Sequence, residues 1–143
     1  MVFLERLKPL GLLLLRVAVG SIFILHGYPI LKDPAHWTRV FTELGLPVQF
    51  VYVSGILEMF GGMMLVVGLL TRGVGLLLAI EVAVVLLRSR IPGSLHTFGQ
   101  HELPVMLGTA ALALATTGAG LVSVDAFTFE SRQKNPKKSK SKN

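Results

Sequence analysis

Apolar residues run along this chain in long blocks rather than in the short alternations of strands, and polar or glycine-bearing breaks separate the blocks. Four blocks stand out, at residues 10–31, 48–70, 73–91 and 103–124. A bilayer core about 30 Å thick takes roughly 20 apolar helical residues to cross, so each block predicts a spanning helix. The first carries Arg16 and His26, the second only Glu58, and the fourth no charge. The third holds Glu81 and is bracketed by Arg72 and Arg88, so it spans only if those arginines snorkel and the helix continues to about Ile91. A buried or re-entrant segment is the other reading of that block. The expected architecture is all-α: an integral membrane four-helix bundle over residues 1–127, followed by a disordered basic tail over 128–143.

The breaks fit alternating spans. Leu70-Thr71-Arg72-Gly73 leaves only a tight turn, whereas residues 33–47 and 88–102 are longer, polar, and have room for structure of their own. Arg6, Lys8, Arg72 and six basic residues of the tail fall on one side, and Lys32, Arg39, Arg88 and Arg90 on the other. That asymmetry puts both termini in the cytoplasm. The basic start and Ala18-Val19-Gly20 resemble a cleavable leader, but the apolar run continues to Leu31, too long for one.

Composition adds one correction. The formal charge of +6 and a pI near 10 invite a nucleic-acid reading. Yet six of the 14 basic residues (Arg132, Lys134, Lys137, Lys138, Lys140 and Lys142) lie in the last 13 positions, a stretch holding no acid, and the eight basic residues before it are matched by eight acids. The charge belongs to the tail, whose expected contact is the anionic inner leaflet, and no nucleic-acid partner is expected. A 52% hydrophobic composition excludes a disordered chain. The chain has no cysteine, hence no disulfide or thiol chemistry of its own.

An ionisable group near the bilayer centre costs several kcal/mol unless paired, protonated or wetted, so function is sought at Arg16, His26, Glu58 and Glu81. At about 1.5 Å per residue, Glu58 and Glu81 share a depth near the midplane, Arg16 lies inward of it and His26 outward. Helical spacing puts Ser54, Gly55 and Gly62 on the face that carries Glu58, and small residues let a second helix approach there. Arg88 follows Glu81 by two turns, so two acids and two arginines could form one internal network. Such a network either holds the helices in register or makes Glu58 a proton carrier or a ligand's hydrogen-bond partner. No His-x-x-x-His spacing occurs and no metal is expected. The plain reading of His26 is a helix-end cap before Pro29, and His101-Glu102-Leu103-Pro104 reads first as the entry to the fourth helix.

The run Glu58-Met-Phe-Gly61-Gly62-Met-Met-Leu65-Val-Val-Gly68-Leu69-Leu70-Thr71-Arg72 resembles the pattern E-x-x-G-G-x-x-L-x-x-G-L-x-T-R of the DoxX family of small bacterial membrane proteins. His26-Gly27, Glu102, and Gly118-Ala-Gly120-Leu-Val-Ser123-Val-Asp125 resemble its other landmarks, in the right order. The resemblance implies four helices and an oxidoreductase role. Relatives include subunits of thiosulfate:quinone oxidoreductase and a partner of superoxide dismutase in a membrane oxidative-stress complex, while other branches act as cargo receptors or assembly chaperones. One position departs from the family: where a Lys commonly stands four residues after the His, this chain has Ile30, with Lys32 two further on.

The expected function is therefore an inner-membrane subunit of, or partner to, a quinone-linked redox system. Neither a nicotinamide fingerprint nor a flavin motif nor a haem pair occurs, so electrons would travel through a bound quinone or a redox partner protein. Glu58 and His26 are the expected catalytic groups, Arg88, Glu81, His101 and Glu102 the expected substrate contacts, and Arg16, Gly61, Gly62 and Arg72 structural. A non-catalytic membrane scaffold or assembly factor is the alternative. Reporter fusions after Asn143 and between residues 72 and 73 should appear cytoplasmic, and fusions near Lys32 and Ser94 periplasmic; a periplasmic C-terminus would overturn these depth assignments.

Overall fold

Glycine decides how the two most apolar helices of the chain meet. The computed structural model describes residues 2–89, 98–120 and 123–125. Among these all regular structure is helical: α1 (Val2–Lys32), α2 (Pro34–Glu43), α3 (Val48–Val67), α4 (Thr71–Ser89) and α5 (Phe98–Thr117). The helix α1 packs most extensively on α3, and α4 on α5, with fewer contacts joining α3 to α4 and α1 to α5. A Cβ at Gly20 would stand 2.6 Å from the carbonyl oxygen of Gly62, and one at Gly27 would stand 2.9 Å from that of Gly55. The two glycines on each helix are seven residues apart, so α1 and α3 run antiparallel in backbone contact over two turns.

Two helices, Leu7–Lys32 and Val48–Val67, are long and apolar enough to cross a membrane, and Glu102–Thr117 is a shorter apolar helix. Where the α1/α3 and α4/α5 pairs meet, Val19, Phe23, Leu65, Val74, Leu78, Leu107, Ala111 and Leu114 form the main core. A second cluster of Ile30, Phe41, Leu46 and Val51 closes the end near α2.

Helices α1, α4 and α5 begin before their hydrophobic blocks and α1 runs one residue past its block, whereas the second and fourth blocks overrun the ends of their helices. The second block stops as helix at Val67, because Gly68 takes a left-handed φ of +78° and its N–H returns to the Met64 and Leu65 carbonyls. The fourth stops at Thr117, where Gly118 at φ +82° donates to the Leu114 carbonyl. Residues 33–47, expected as a polar loop, contain α2. Its start is fixed by the Asp33 side chain accepting from the His36 N–H at 3.2 Å, with Pro34 in the first turn. Phe41 is its buried residue, with Trp37 and Val40 packed beside it, while His36, Arg39 and Glu43 are exposed. The end of the third block at residues 90–91, and the basic tail, lie outside the described residues.

At the opposite end from α2, the segment beyond α5 folds back onto the α3–α4 turn. The Asp125 carboxylate accepts from the Leu70 and Thr71 N–H groups at 2.8 and 3.0 Å, and the Asp125 N–H donates to the Gly68 carbonyl at 3.1 Å. It thereby caps the start of α4 from a distant part of the sequence and holds Leu70 at φ +50°, a strained value for a leucine. Arg16, 2% exposed, lies beneath this turn: its Nη1 donates to the Ala119 carbonyl at 2.6 Å, and its charge interacts with that of Asp125.

Two substitutions separate close packing from mere presence of glycine. Gly62→Leu must push α1 and α3 apart and should cost at least about 1–3 kcal/mol, read as a lower melting temperature in detergent. Gly11→Ala meets nothing within 4 Å and should leave the melt unchanged or slightly higher. Asp125→Ala should also lower it, since two N–H groups lose their acceptor and Arg16 loses its countercharge.

Candidate functional site

Every buried residue of α3 stands three, four or seven positions from Glu58. These residues are Val51, Ser54, Gly55, Gly61, Gly62 and Leu65. At 3.6 residues per turn that spacing makes Glu58 the centre of the buried stripe, so its side chain leaves α3 toward the interior of the helix assembly. It leaves between the two glycine contacts: a Cβ at Gly27 would lie 3.0 Å from the Glu58 Cβ. No side chain on α1 fits at that point, and the carboxyl is directed past α1 toward α4.

Across from it, α4 presents Glu81, which follows buried Leu78 by three residues and Val74 by seven and is itself 5% exposed. The Ser54 hydroxyl donates to Glu81 Oε1. Glu58 and Glu81 are close enough for their charges to interact. One oxygen of each acid, Glu58 Oε2 and Glu81 Oε2, is buried with no hydrogen-bond partner among the described residues. The site is therefore two carboxyls and one hydroxyl in an apolar interior, with a single donor accounted for and two acceptor atoms left over. Buried polar atoms are nearly always satisfied, so these two oxygens call for a proton or a ligand's donor.

The single network of two acids and two arginines does not assemble, because the cations stand at opposite ends. Arg16 is held at the far end by Ala119 and Asp125. Arg88 is exposed, beyond Glu81 by two turns, with its Nη1 near the α2–α3 turn at Gly45. Among the described residues neither Glu58 nor Glu81 has an arginine partner, and Ser54, a neutral group, is the contact made. Ser54 was visible in the sequence as a small residue on the acid's face, but its donor role needed the position of Glu81 on another helix.

The other expected site residues divide by place. His26 is exposed on α1, with Nδ1 donating to the Ile22 carbonyl at 2.8 Å, one turn back in a helix that continues past Pro29 to Lys32. The ring does not terminate the helix, and no described residue bonds its Nε2. Glu102 is exposed near the start of α5, and the His101 side chain lies outside the described residues. Gly61 packs against Val74 and Leu78, and Gly62 against the backbone of Gly20. Arg72 is exposed and lies over Gly118, at the rim of a shallow hollow of about 460 Å³ shared with Leu70, Thr117, Gly120 and Asp125. Asp125, a residue of the expected landmark Gly118–Asp125, was not assigned a role from sequence, because its partners lie more than 50 positions away.

Comparison with known proteins fits this geometry. The family model described as DoxX matches residues 11–88, which include α3, α4, and α1 from Gly11 onward, and therefore Glu58, Glu81, Ser54 and His26. A protein of Bacillus subtilis (strain 168) named "Putative oxidoreductase CatD" is 32% identical over 126 residues, 87% of this chain and 91% of its own length. A protein of Haemophilus influenzae (strain ATCC 51907 / DSM 11121 / KW20 / Rd) named "Uncharacterized protein" is 30% identical over 132 residues, 89% of this chain and 97% of its own. No solved structure matches. With a family model covering more than half its length and relatives matched almost end to end, the chain belongs to the DoxX family.

Proposed function

We propose that this chain is a multi-pass inner-membrane protein of oxidoreductase type, in which Glu58 and Glu81 exchange protons with a quinone held inside the helix assembly. Four of its helices, α1, α3, α4 and α5, cross the bilayer as a bundle with both termini in the cytoplasm. The observation that carries the reading is the pair of orphaned carboxyl oxygens at the centre of an apolar interior, with a serine rather than an arginine beside them. A structural acid in a membrane is held by a cation, by hydrogen bonds or by its own proton; none of the described residues supplies a cation to either acid, and the one hydroxyl present serves Glu81.

Quinone chemistry suits this donor set. Reduction of a quinone takes up two protons along with two electrons, and oxidation of the quinol returns them. A carboxyl can donate to the quinone carbonyl and then receive the quinol proton, which is what general acid–base catalysis asks of a positioned group. Glu58 is the member proposed to face the ligand, since one oxygen of Glu81 is already engaged by Ser54. His26 is the second group proposed for the ligand, through its Nε2. With no nicotinamide, flavin or haem motif read in the sequence, the electron donor or acceptor proposed is a partner protein. The "oxidoreductase" in the name of the Bacillus subtilis relative supports the reaction class, and quinone is the carrier proposed here.

The test is native purification followed by organic extraction and chromatography for quinone, on the wild type and on Glu58→Gln. Wild type should carry quinone. Glu58→Gln should melt within about 1 kcal/mol of wild type, because no described arginine is stranded by the loss of charge, yet bind quinone roughly tenfold more weakly or worse, as expected for one hydrogen bond to a charged or acidic group. A quinone-free wild type that instead retains a structural client would favour the scaffold reading.

A further inference from the structure

The quinone reading leaves open how a ligand reaches two buried carboxyls, and the exposures along α1 and α5 answer it. On α1, Val19 is buried and Ile22 packs on the core, yet His26, one turn beyond Ile22 and two beyond Val19 on the same stripe, is exposed. On α5, Leu107 is buried and Ala110 packs on the core, yet Leu103, one turn before Leu107 and two before Ala110, is 46% exposed. The two stripes that meet between α1 and α5 are covered in one half and uncovered in the other. The covered half is sealed where Arg16 bonds the Ala119 carbonyl and Leu12 reaches Gly120. The uncovered half lies at the depth of the acids: in the register set by Gly20 against Gly62 and Gly27 against Gly55, Glu58 is level with residue 24, about 3 Å from the level of His26.

Among the described residues, buried apolar side chains stand on both axial sides of the acids. Toward the α3–α4 turn stand Phe23, Leu65, Leu78 and Leu114, none more than 1% exposed. Toward α2 stand Ile30, Phe41 and Val51, at most 5% exposed. Glu58 is nonetheless only half-buried although it occupies the centre of the buried stripe of α3, so its accessibility comes from the side.

We infer that the outer half of the α1–α5 seam is a lateral window, framed by His26 and Leu103, through which a compound dissolved in the membrane hydrocarbon reaches Glu58. The occupant is thus a lipid-soluble molecule with a hydrogen-bonding head, not a water-soluble metabolite. Its tail stays in the lipid against Leu103, and its head passes the Nε2 of His26 to reach the Glu58 carboxyl. This rests on the reading of Glu58 as the working carboxyl and adds the path and the solubility class of what it serves.

The probe is dicyclohexylcarbodiimide, a lipid-soluble reagent for carboxylic acids in apolar surroundings, compared with a water-soluble carbodiimide on the full chain in lipid nanodiscs, by intact mass and peptide mapping. The lipid-soluble reagent should modify Glu58, the modification should be lost in Glu58→Gln, and the water-soluble reagent should leave Glu58 untouched. His26→Trp should slow the modification several-fold by filling the window, while Leu25→Trp, at a neighbouring position 70% exposed, should not. Because the chain has no cysteine of its own, His26→Cys capped after folding with a lipid-soluble maleimide should slow it likewise, which keeps the test open if the tryptophan variant fails to fold. Modification of Glu58 from water, or at an unchanged rate with residue 26 enlarged, overturns the window. A preparation that labels as expected but carries no quinone keeps the window and rejects the quinone; one that carries quinone but labels from water does the reverse.

Discussion

The backbone contact between α1 and α3 is the constraint on which the rest of the molecule turns. Two helices approach this closely only where neither carries a side chain at the crossing, and Gly20, Gly27, Gly55 and Gly62 supply those gaps in two facing pairs. Glu58 lies between Gly55 and Gly62 on the same stripe. The contact that brings the helices together therefore also denies the carboxyl any room on the α1 side and turns it toward α4. In hydrocarbon there is little hydrophobic drive between helices, so packing and hydrogen bonds must hold them, and glycine contact provides the first over a length no single polar pair could match. The position of the site and the stability of the scaffold thus rest on the same four residues.

Charge in this molecule is sorted by depth. Arg16 is placed where it has an oxygen partner and a nearby carboxylate, Ala119 and Asp125, and that cluster ties α1 to the α3–α4 turn and the chain beyond α5. Asp125 satisfies two N–H groups at the start of α4 that would otherwise be orphaned, and its negative charge lies at the positive end of that helix dipole. These groups are consumed by one another. Glu58 and Glu81 are not: one hydroxyl serves four carboxyl oxygens. The Arg16–Asp125 cluster is hydrogen-bonded internally, whereas the Glu58–Glu81 pair in the middle of the assembly leaves one oxygen of each acid without a partner among the described residues.

Much of this was legible in the sequence, and the limits have physical causes. Hydrophobic blocks marked four of the helices, and the spacing of Ser54, Gly55 and Gly62 around Glu58 marked the acid's face, because helical periodicity is a local property. The short helix α2 was missed, although Asp33-Pro34 is a start signal, because its ten residues carry a mixed pattern beside two long apolar blocks that dominate any hydropathy reading. Helix ends at Val67 and Thr117 were overrun for a related reason: Gly68 and Gly118 are the stop signals, but apolar residues continue past both. The pairing of charges was the part least available. Depth along a helix can be counted from sequence, but whether Arg88 two turns from Glu81 turns back to it or reaches the Gly45 turn depends on helices elsewhere in the chain.

The combination of an unsatisfied carboxyl pair with buried apolar side chains on both axial sides also bears on what kind of protein this is. A channel or a proton pump needs polar groups or water in succession across the full thickness of the membrane, since each transfer spans only a hydrogen bond's length. Here the acids stand alone: toward the α3–α4 turn the next polar side chains are Arg16 and Thr71, beyond a layer formed by Phe23, Leu65, Leu78 and Leu114. Such a layer interrupts any relay. On the proposed reading the site exchanges protons with a molecule that comes to it, and among the described residues an apolar layer separates it from the next polar side chains on that side. Vectorial movement across the membrane, where it occurs, would have to reside in the traffic of that molecule or in a partner, and the contribution of this chain is a polar foothold at a fixed depth in an apolar solvent.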